Sequence, residues 1–369
     1  MKMRAGSAVF LFMLAISLHP VFADPSIKLI QFGISGDITT DIITDELDEG
    51  KETILIGTSA GVYILSGDGN LERYIQTAGS VTNIGVLDDL TGDGRRDIVI
   101  TTSELHFPNV LGFDSRTGEK IWEFSSKIEV CDTEMLWTMQ QNPVFDLKVV
   151  QDKNRDGYGD IAISSGYSIF LLSGKTGKEL WRFESSDNIW RIEEAEENII
   201  AGDQNGCIHM LRGDTGDVIW SKPLSKSYAV VNPVTKQKMG EVERSVWDII
   251  VLDTGNRKKI LVTAEDGNVY LIDLETGNTE WPTEIIEYSD TLLYQYYGDY
   301  PLPTSSADYN FFNMRAMVVD DCTGDGRNDI LVYTYPGHRL GREYQGAIMG
   351  LYLLDSDSGK IIWLSLIHI

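Results

Sequence analysis

One phrase recurs along the chain and limits what it can become: an apolar strand, a polar turn containing Gly, and a second strand that ends on a large aromatic ring. It reads "GFDSRTGEKIW", "LLSGKTGKELW", "MLRGDTGDVIW", "LIDLETGNTEW" and "LLDSDSGKIIW", ending at Trp122, Trp181, Trp220, Trp281 and Trp363, with a sixth, worn copy "YILSGDGNLERY" ending at Tyr74. Two strands around a Gly turn are the mark of a β-hairpin. A Trp at a fixed place in each copy is read as core packing, a ring that staples one sheet to the next.

Upstream of each phrase lies a second hairpin: an apolar strand such as "VTNIGVLDD" or "FFNMRAMVVDD", a Gly-Asp loop, and a β-rich strand such as "DIVITT" or "DILVYT". Two hairpins per repeat make a four-stranded antiparallel unit. Six such units, about 40 residues apart where nothing is inserted, predict an all-β fold, a β-propeller of four-stranded blades with six blades visible in a ring of six to eight. The tail "LSLIHI" fits no turn or strand-closing pattern, which points to a truncated or artefactual end, and residues 366–369 are read as irregular.

An apolar content of 42% is enough to bury a core, so the chain is read as globular. Residues 1–23, "MKMRAGSAVFLFMLAISLHPVFA", have a basic start, an apolar run and a small-residue end, which is the pattern of a secretory signal peptide, leaving residues 24–365 as the propeller. Losing Lys2 and Arg4 with that leader leaves 29 basic residues against 56 acidic ones and a net charge near −27. Nucleic acid and anionic membranes are poor partners for such a chain. No later run of apolar residues is long enough to span a bilayer. Cys131, Cys207 and Cys322 are too few and too scattered for a disulfide framework.

Many of the acids crowd into short Gly-bearing loops, and there the expected counter-charge is a divalent cation. In residues 152–160, Asp152, Asn154, Asp156 and Asp160 offer oxygens at positions 1, 3, 5 and 9, Gly157 permits the bend, and the Tyr158 carbonyl serves position 7. Calcium takes six to eight such hard oxygens. A second loop offers Asp89, Thr91, Asp93, the Arg95 carbonyl and Asp97; a third offers Asp321, Thr323, Asp325, the Arg327 carbonyl and Asp329. Thr at position 3 is a weaker, neutral ligand, so these two are expected to bind less tightly. The competing reading is that Asp-Gly simply makes the turn, but a terminal Asp is a poor opening for a buried strand unless something positive holds it.

The Thr-Gly-Lys-x-x-Trp phrases resemble the tryptophan-docking repeats of pyrroloquinoline quinone (PQQ) type propellers. The loops "DDLTGDGRRDIVI", "DKNRDGYGDIAI" and "DDCTGDGRNDILV" resemble the FG-GAP calcium loops of integrin-type propellers. Together the resemblances cover nearly all of residues 40–365 and imply up to three structural Ca²⁺ sites. Resemblance to quinone-dependent dehydrogenases would imply PQQ at the ring centre with a catalytic Asp, calcium and a vicinal disulfide. The sequence has no vicinal Cys pair, no haem motif and no nucleophile with a base, and His106, His209 and His338 stand isolated, so it argues against PQQ and against catalysis. With no Cys at the cleavage point, it also argues against close identity with the lipoprotein propellers of outer-membrane assembly.

In a four-stranded meander the calcium loops and Thr-Gly turns fall on one end of the ring, and every long insertion on the other. The richest insertion carries Tyr294, Tyr296, Tyr297 and Tyr300, a surface suited either to contact with another protein or a glycan or to covering the ring. The expectation is an exported, non-catalytic, calcium-stabilised scaffold; the alternatives are a PQQ-dependent dehydrogenase and a cell-surface adhesion or carbohydrate-binding propeller.

Overall fold

The computed structural model describes residues 40, 42–103, 109–126, 144–224, 229–231, 238–241, 245–253, 257–285, 312–336 and 348–368. These form strands and no helix. The first sheet contains β1 (Ile43–Asp48), β2 (Lys51–Thr58), β3 (Gly61–Ser66) and β4 (Leu71–Gln76). The second contains β5 (Val81–Val86), β6 (Ile98–Thr102), β7 (Val110–Phe113) and β8 (Lys120–Phe124). The third is β9 (Val144–Val150), β10 (Asp160–Ser165), β11 (Ser168–Leu172) and β12 (Glu179–Glu184), and the fourth is β13 (Ile189–Ala195), β14 (Asn198–Asp203), β15 (Cys207–Arg212) and β16 (Val218–Pro223). A short hairpin, β17 (Ala229–Val231) with β18 (Lys238–Glu241), precedes the fifth sheet, β19 (Val246–Asp253), β20 (Lys258–Ala264), β21 (Asn268–Asp273) and β22 (Thr279–Glu284). The sixth is β23 (Phe312–Val319), β24 (Asp329–Pro336), β25 (Ile348–Leu354) and β26 (Ile361–His368).

Each sheet is an antiparallel meander in chain order, so the six four-stranded blades of the β-propeller are as expected. The first strands β1, β5, β9, β13, β19 and β23 stand side by side and line the axis. Five apolar clusters lie between consecutive blades. One joins Leu55 and Ile64 to Ile84 and Ile100, and another joins Ile200 and Met210 to Val262 and Ile272. Burying one such aliphatic side chain is worth about 1.5–3 kcal/mol.

A blade covered on both faces has no polar side, and this explains the burial patterns. Middle strands such as β10 and β21 are buried throughout. Inner strands β9, β13 and β19 bury every third residue. Ile192 meets the preceding blade and Ala195 the following one, so consecutive buried positions serve opposite faces.

The staple works in one direction. Trp122 Nε1 donates to the Gly174 carbonyl of the next blade (2.9 Å), Trp181 to Gly213 (2.8 Å), Trp220 to Leu274 (3.1 Å) and Trp281 to Asp357 (3.0 Å). Each ring lies on a turn glycine, Gly177, Gly216, Gly277 or Gly359, all at positive φ, where an added Cβ would fall within 2.7 Å of the indole. Trp363, in the sixth blade, is 51% exposed.

Two expectations are corrected. Tyr74 does not occupy the docking place in the first blade. The residue paired where the other blades pair their Trp is Arg73, opposite Ile64 and next to the same bulge, and its Nη2 donates to the Arg116 carbonyl at 2.5 Å. Tyr74 turns to the other face, against Tyr63 at 4.6 Å between centroids, and donates its hydroxyl to the Ala60 carbonyl. The tail is not irregular either: β26 runs on to His368, pairing Ile367 with Met349, because the ladder with β25 continues past the docking ring.

Candidate calcium loops and the insertion-bearing end

The three acidic loops join the first strand of a blade to its second, β5 to β6, β9 to β10 and β23 to β24, and share one internal geometry. The first Asp closes the loop by accepting backbone N–H groups. Asp89 takes those of Gly92 (2.7 Å), Asp93 (3.1 Å) and Gly94 (2.8 Å); Asp152 those of Arg155 (2.6 Å), Asp156 (3.2 Å) and Gly157 (2.8 Å); Asp321 those of Gly324 (2.6 Å), Asp325 (3.3 Å) and Gly326 (2.7 Å). Gly94, Gly157 and Gly326 are left-handed, as is the fourth position, where Gly92 and Gly324 correspond to Arg155 at φ 63°. Burial raises the Asp89 carboxyl, but the N–H groups of Gly94, Gly92 and Asp93 together outweigh it and hold Asp89 below the usual carboxylate range; for Asp321 the N–H groups of Gly326 and Gly324 lead, and the direction is the same.

The last Asp lies beneath the loop. Asp97 and Asp160 are 0% exposed and Asp329 1%. Asp97 accepts from the N–H groups of Leu90 (2.8 Å) and Ser115 (3.2 Å), Asp160 from Lys153 (2.8 Å), Asn154 (3.1 Å) and Gly174 (3.3 Å), and Asp329 from Cys322 (2.8 Å) and Thr323 (3.1 Å). Burial pushes Asp97 up to about 6 and Asp160 in the same direction, partly offset by those N–H groups. No basic side chain pairs with Asp97, Asp160 or Asp329 among the described residues. A buried carboxylate without a cation is costly, and a carboxylate that accepts two or three N–H groups keeps lone pairs for an ion. The donor set, all hard oxygens with one uncompensated carboxylate at the base, therefore fits Ca²⁺.

The loops differ in what already neutralises them. Asp93 receives Arg116 Nε at 2.8 Å, whereas Arg327 turns away from its own loop to pair with Asp357 on the adjacent turn. In residues 152–160 Lys153 pairs outside the loop with Glu194, and Asn154 and Asp156 bond within the loop and to Ser173 (3.4 Å). Of the three loops this one alone offers an amide oxygen at position 3. Thr91 and Thr323 sit beside the first Asp of their loops, 3.4 and 3.2 Å from its Oδ1. The carbonyl-bearing residues Arg95, Tyr158 and Arg327 follow their glycines, each with its N–H bonded to the position-5 Asp.

Each acidic loop touches the Gly turn of its own blade, through Ser115 to Asp97, Gly174 to Asp160, and Arg327 to Asp357. The two kinds of turn thus share one end of the ring. Links 103–109, 125–143, 224–245, 285–311 and 337–347 leave from the other end. Tyr294, Tyr296, Tyr297 and Tyr300 lie outside the described residues, as do the leader, His106 and His338.

Near the axis on that end, Phe145, Trp190 and Trp247, from three consecutive inner strands, stand 4.4 and 6.1 Å apart between centroids. The buried indole N–H groups of Trp190 and Trp247 have no acceptor among the described residues. Sequence reading missed them, although "NIWRIEEA" and "SVWDIIVLD" place Trp at the same position of successive repeats. His209 is not isolated: its ring meets Asp203 and Ser221.

The family model described as outer membrane protein assembly factor BamB matches residues 87–296. No curated protein matches. Among solved structures, the complex of BBS1N with ARL6DN soaked with mercury is similar at a TM-score of 0.55 and 10% identity, over 90% of this chain and 83% of that one. The same complex soaked with lead gives 0.54 and 12% over the same shares. BamB from Moraxella catarrhalis gives 0.47 and 15%, over 90% of this chain and 89% of that one. At such identities the likeness to the BBS1N complexes speaks to the fold alone.

Proposed function

The chain belongs to the family of the outer membrane protein assembly factor BamB, whose model spans more than half of it, and from that premise we propose that it is an exported, non-catalytic scaffold held rigid by calcium on one end and contacting another protein through the other. The family's name supports both a protein partner and export, and the basic, then apolar, first residues support a leader.

The observation that carries the contact surface is the aromatic group at the axis. Trp190 and Trp247 keep unsatisfied N–H donors at the end where all the long links emerge. Half-buried indoles are frequent anchors of protein interfaces. On the opposite end the turns are occupied in bonding their own blade and the neighbouring Trp.

Photo-crosslinking in the native host tests this reading. A photoreactive residue at Lys222 or Glu284, on the insertion-bearing end, should yield a discrete protein adduct, whereas one at Lys178 or Asn278, on the turn end, should not. Trp190→Phe with Trp247→Phe, which keep the rings and remove the donors, should weaken that adduct. Adducts from the turn end alone, or reduction of a redox dye by an alcohol after addition of PQQ and calcium, would overturn the scaffold.

A further inference from the structure

The fourth blade holds a group of side chains that its repeat frame does not require. Asp203, at the end of β14, places Oδ2 3.2 Å from His209 Nε2, and Cys207 opens β15 beside them, the three donor atoms lying within 4.8 Å of one another. Asp203 and His209 are buried and Cys207 is half-buried, so the thiol is the most exposed of the three. The carboxylate is fixed by the Cys207 N–H on Oδ1 (2.7 Å), leaving Oδ2 toward the imidazole. Ser221 Oγ, 2.8 Å from His209 Nδ1, fixes the ring from behind, and Ser185 Oγ of the preceding blade lies 3.1 Å from Asp203 Oδ2 and 3.4 Å from Nε2.

The strand registers show what the other five blades put in these places. His209 corresponds to Tyr63, Leu111, Phe170, Tyr270 and Tyr352, each one residue before the partner of its blade's docking residue. Cys207, two residues earlier, corresponds to Gly61, Asn109, Ser168, Asn268 and Gly350. Asp203 corresponds to Thr58, Thr102, Ser165, Ala264 and Thr334. None of these counterparts is a carboxylate, a thiol or an imidazole. All three donors coincide in one blade, where the other five keep small or neutral residues at two of the places and an aromatic or aliphatic side chain at the third.

We propose that Asp203, Cys207 and His209 form a binding site for a zinc-like divalent transition metal, distinct from the calcium loops and on the opposite end of the ring. One oxygen, one sulfur and one nitrogen suit borderline metals and not calcium. A metal-bound imidazole keeps its second nitrogen on a hydrogen-bond partner, the place Ser221 holds here. The ion displaces the Cys207 thiol proton to solvent and takes its fourth ligand from water or Ser185. Its effect is to tie the β14–β15 link and the end of β12 together, clasping the third and fourth blades.

Cobalt(II) is the probe, added under reducing conditions to calcium-saturated protein carrying Cys131→Ser and Cys322→Ser, so that Cys207 is the sole thiol. The expected result is one equivalent bound with a thiolate-to-cobalt charge-transfer band, displaced by zinc. Cys207→Ser should abolish the band. His209→Phe, which installs the residue the third blade uses at that position and so preserves the fold, should weaken binding at least tenfold. Absence of the band, its survival in Cys207→Ser, or unchanged affinity in His209→Phe would each overturn the site. Since calcium is saturating throughout, none of these outcomes depends on whether the acidic loops bind it.

Discussion

Trp122 of the second blade donates its indole N–H to the Gly174 carbonyl of the third at 2.9 Å, and its ring occupies the space where a side chain on Gly177 would have to stand. The contact couples two constraints, since Gly177 is also at φ 68°. Trp122→Ala should cost about 3–5 kcal/mol. Gly177→Ala should cost about 1–2 kcal/mol for the left-handed backbone and a further penalty for a Cβ 2.5 Å from Trp122 Cε3. In a double-mutant cycle read by urea unfolding, the second penalty should vanish once the indole is gone. A strictly additive cycle would show that the turn and the ring are independent.

Arg73 marks where the first blade lacks the ring. Replacing it by Trp should lay an indole over Gly118, whose Cβ position has neighbours no closer than 3.5 Å. The expected gain is about 1 kcal/mol, the scale of an aromatic contact beyond simple burial, seen as a higher urea midpoint with unchanged slope. A lower midpoint would mean that Arg73 Nη2 on the Arg116 carbonyl already serves that junction better.

Calcium should raise the unfolding temperature of the wild type, and chelation should lower it. At a free concentration about tenfold above the dissociation constant, each occupied loop adds about 1.4 kcal/mol. Asp152→Asn should remove the largest share, because its loop alone carries Asn at position 3, while Asp321→Asn, in a loop with Thr there, should remove less. Calorimetry with calcium and with chelator checks this; equal responses in both variants would refute the ranking of the sites.

The fifth blade has no acidic loop of this kind, so its turn isolates a proton effect. Asp273 accepts both the hydroxyl (2.6 Å) and the N–H (2.8 Å) of Thr276, and these bonds, with Arg257 nearby, hold its carboxyl below the usual range. A lowered folded value means the contribution is fully present above the unfolded value of about 3.9 and is lost as pH falls through the folded one. The midpoint gap between wild type and Asp273→Asn should be flat above about pH 5 and close on further acidification. A gap that widens in acid would reverse the sign.

The architecture was legible because its signals are local and repeated. A turn glycine and a Trp four positions later recur in five copies, and the acidic loops carry their ligands within nine residues. The same rule, applied from Gly69, leads to Arg73. The aromatic ring nearby, Tyr74, stands one residue past that place, and register rather than ring chemistry decides which side chain docks. The Asp203, Cys207 and His209 group was harder to see, being spread over two strands and visible as unusual only against the corresponding residues of the other blades. The aromatic group at the axis required the closing of three inner strands around one line, which no single repeat announces.

Every junction between consecutive blades from the second to the sixth is a hook on one repeat and an eye on the following one. Deleting any repeat from the third to the fifth in the gene, or copying any from the second to the fifth, therefore leaves one hook and one eye at each new seam. Recombination between those repeats can change ring size without redesign of the Trp–Gly contact. A shift of two residues in one outer strand would undo two blades at once.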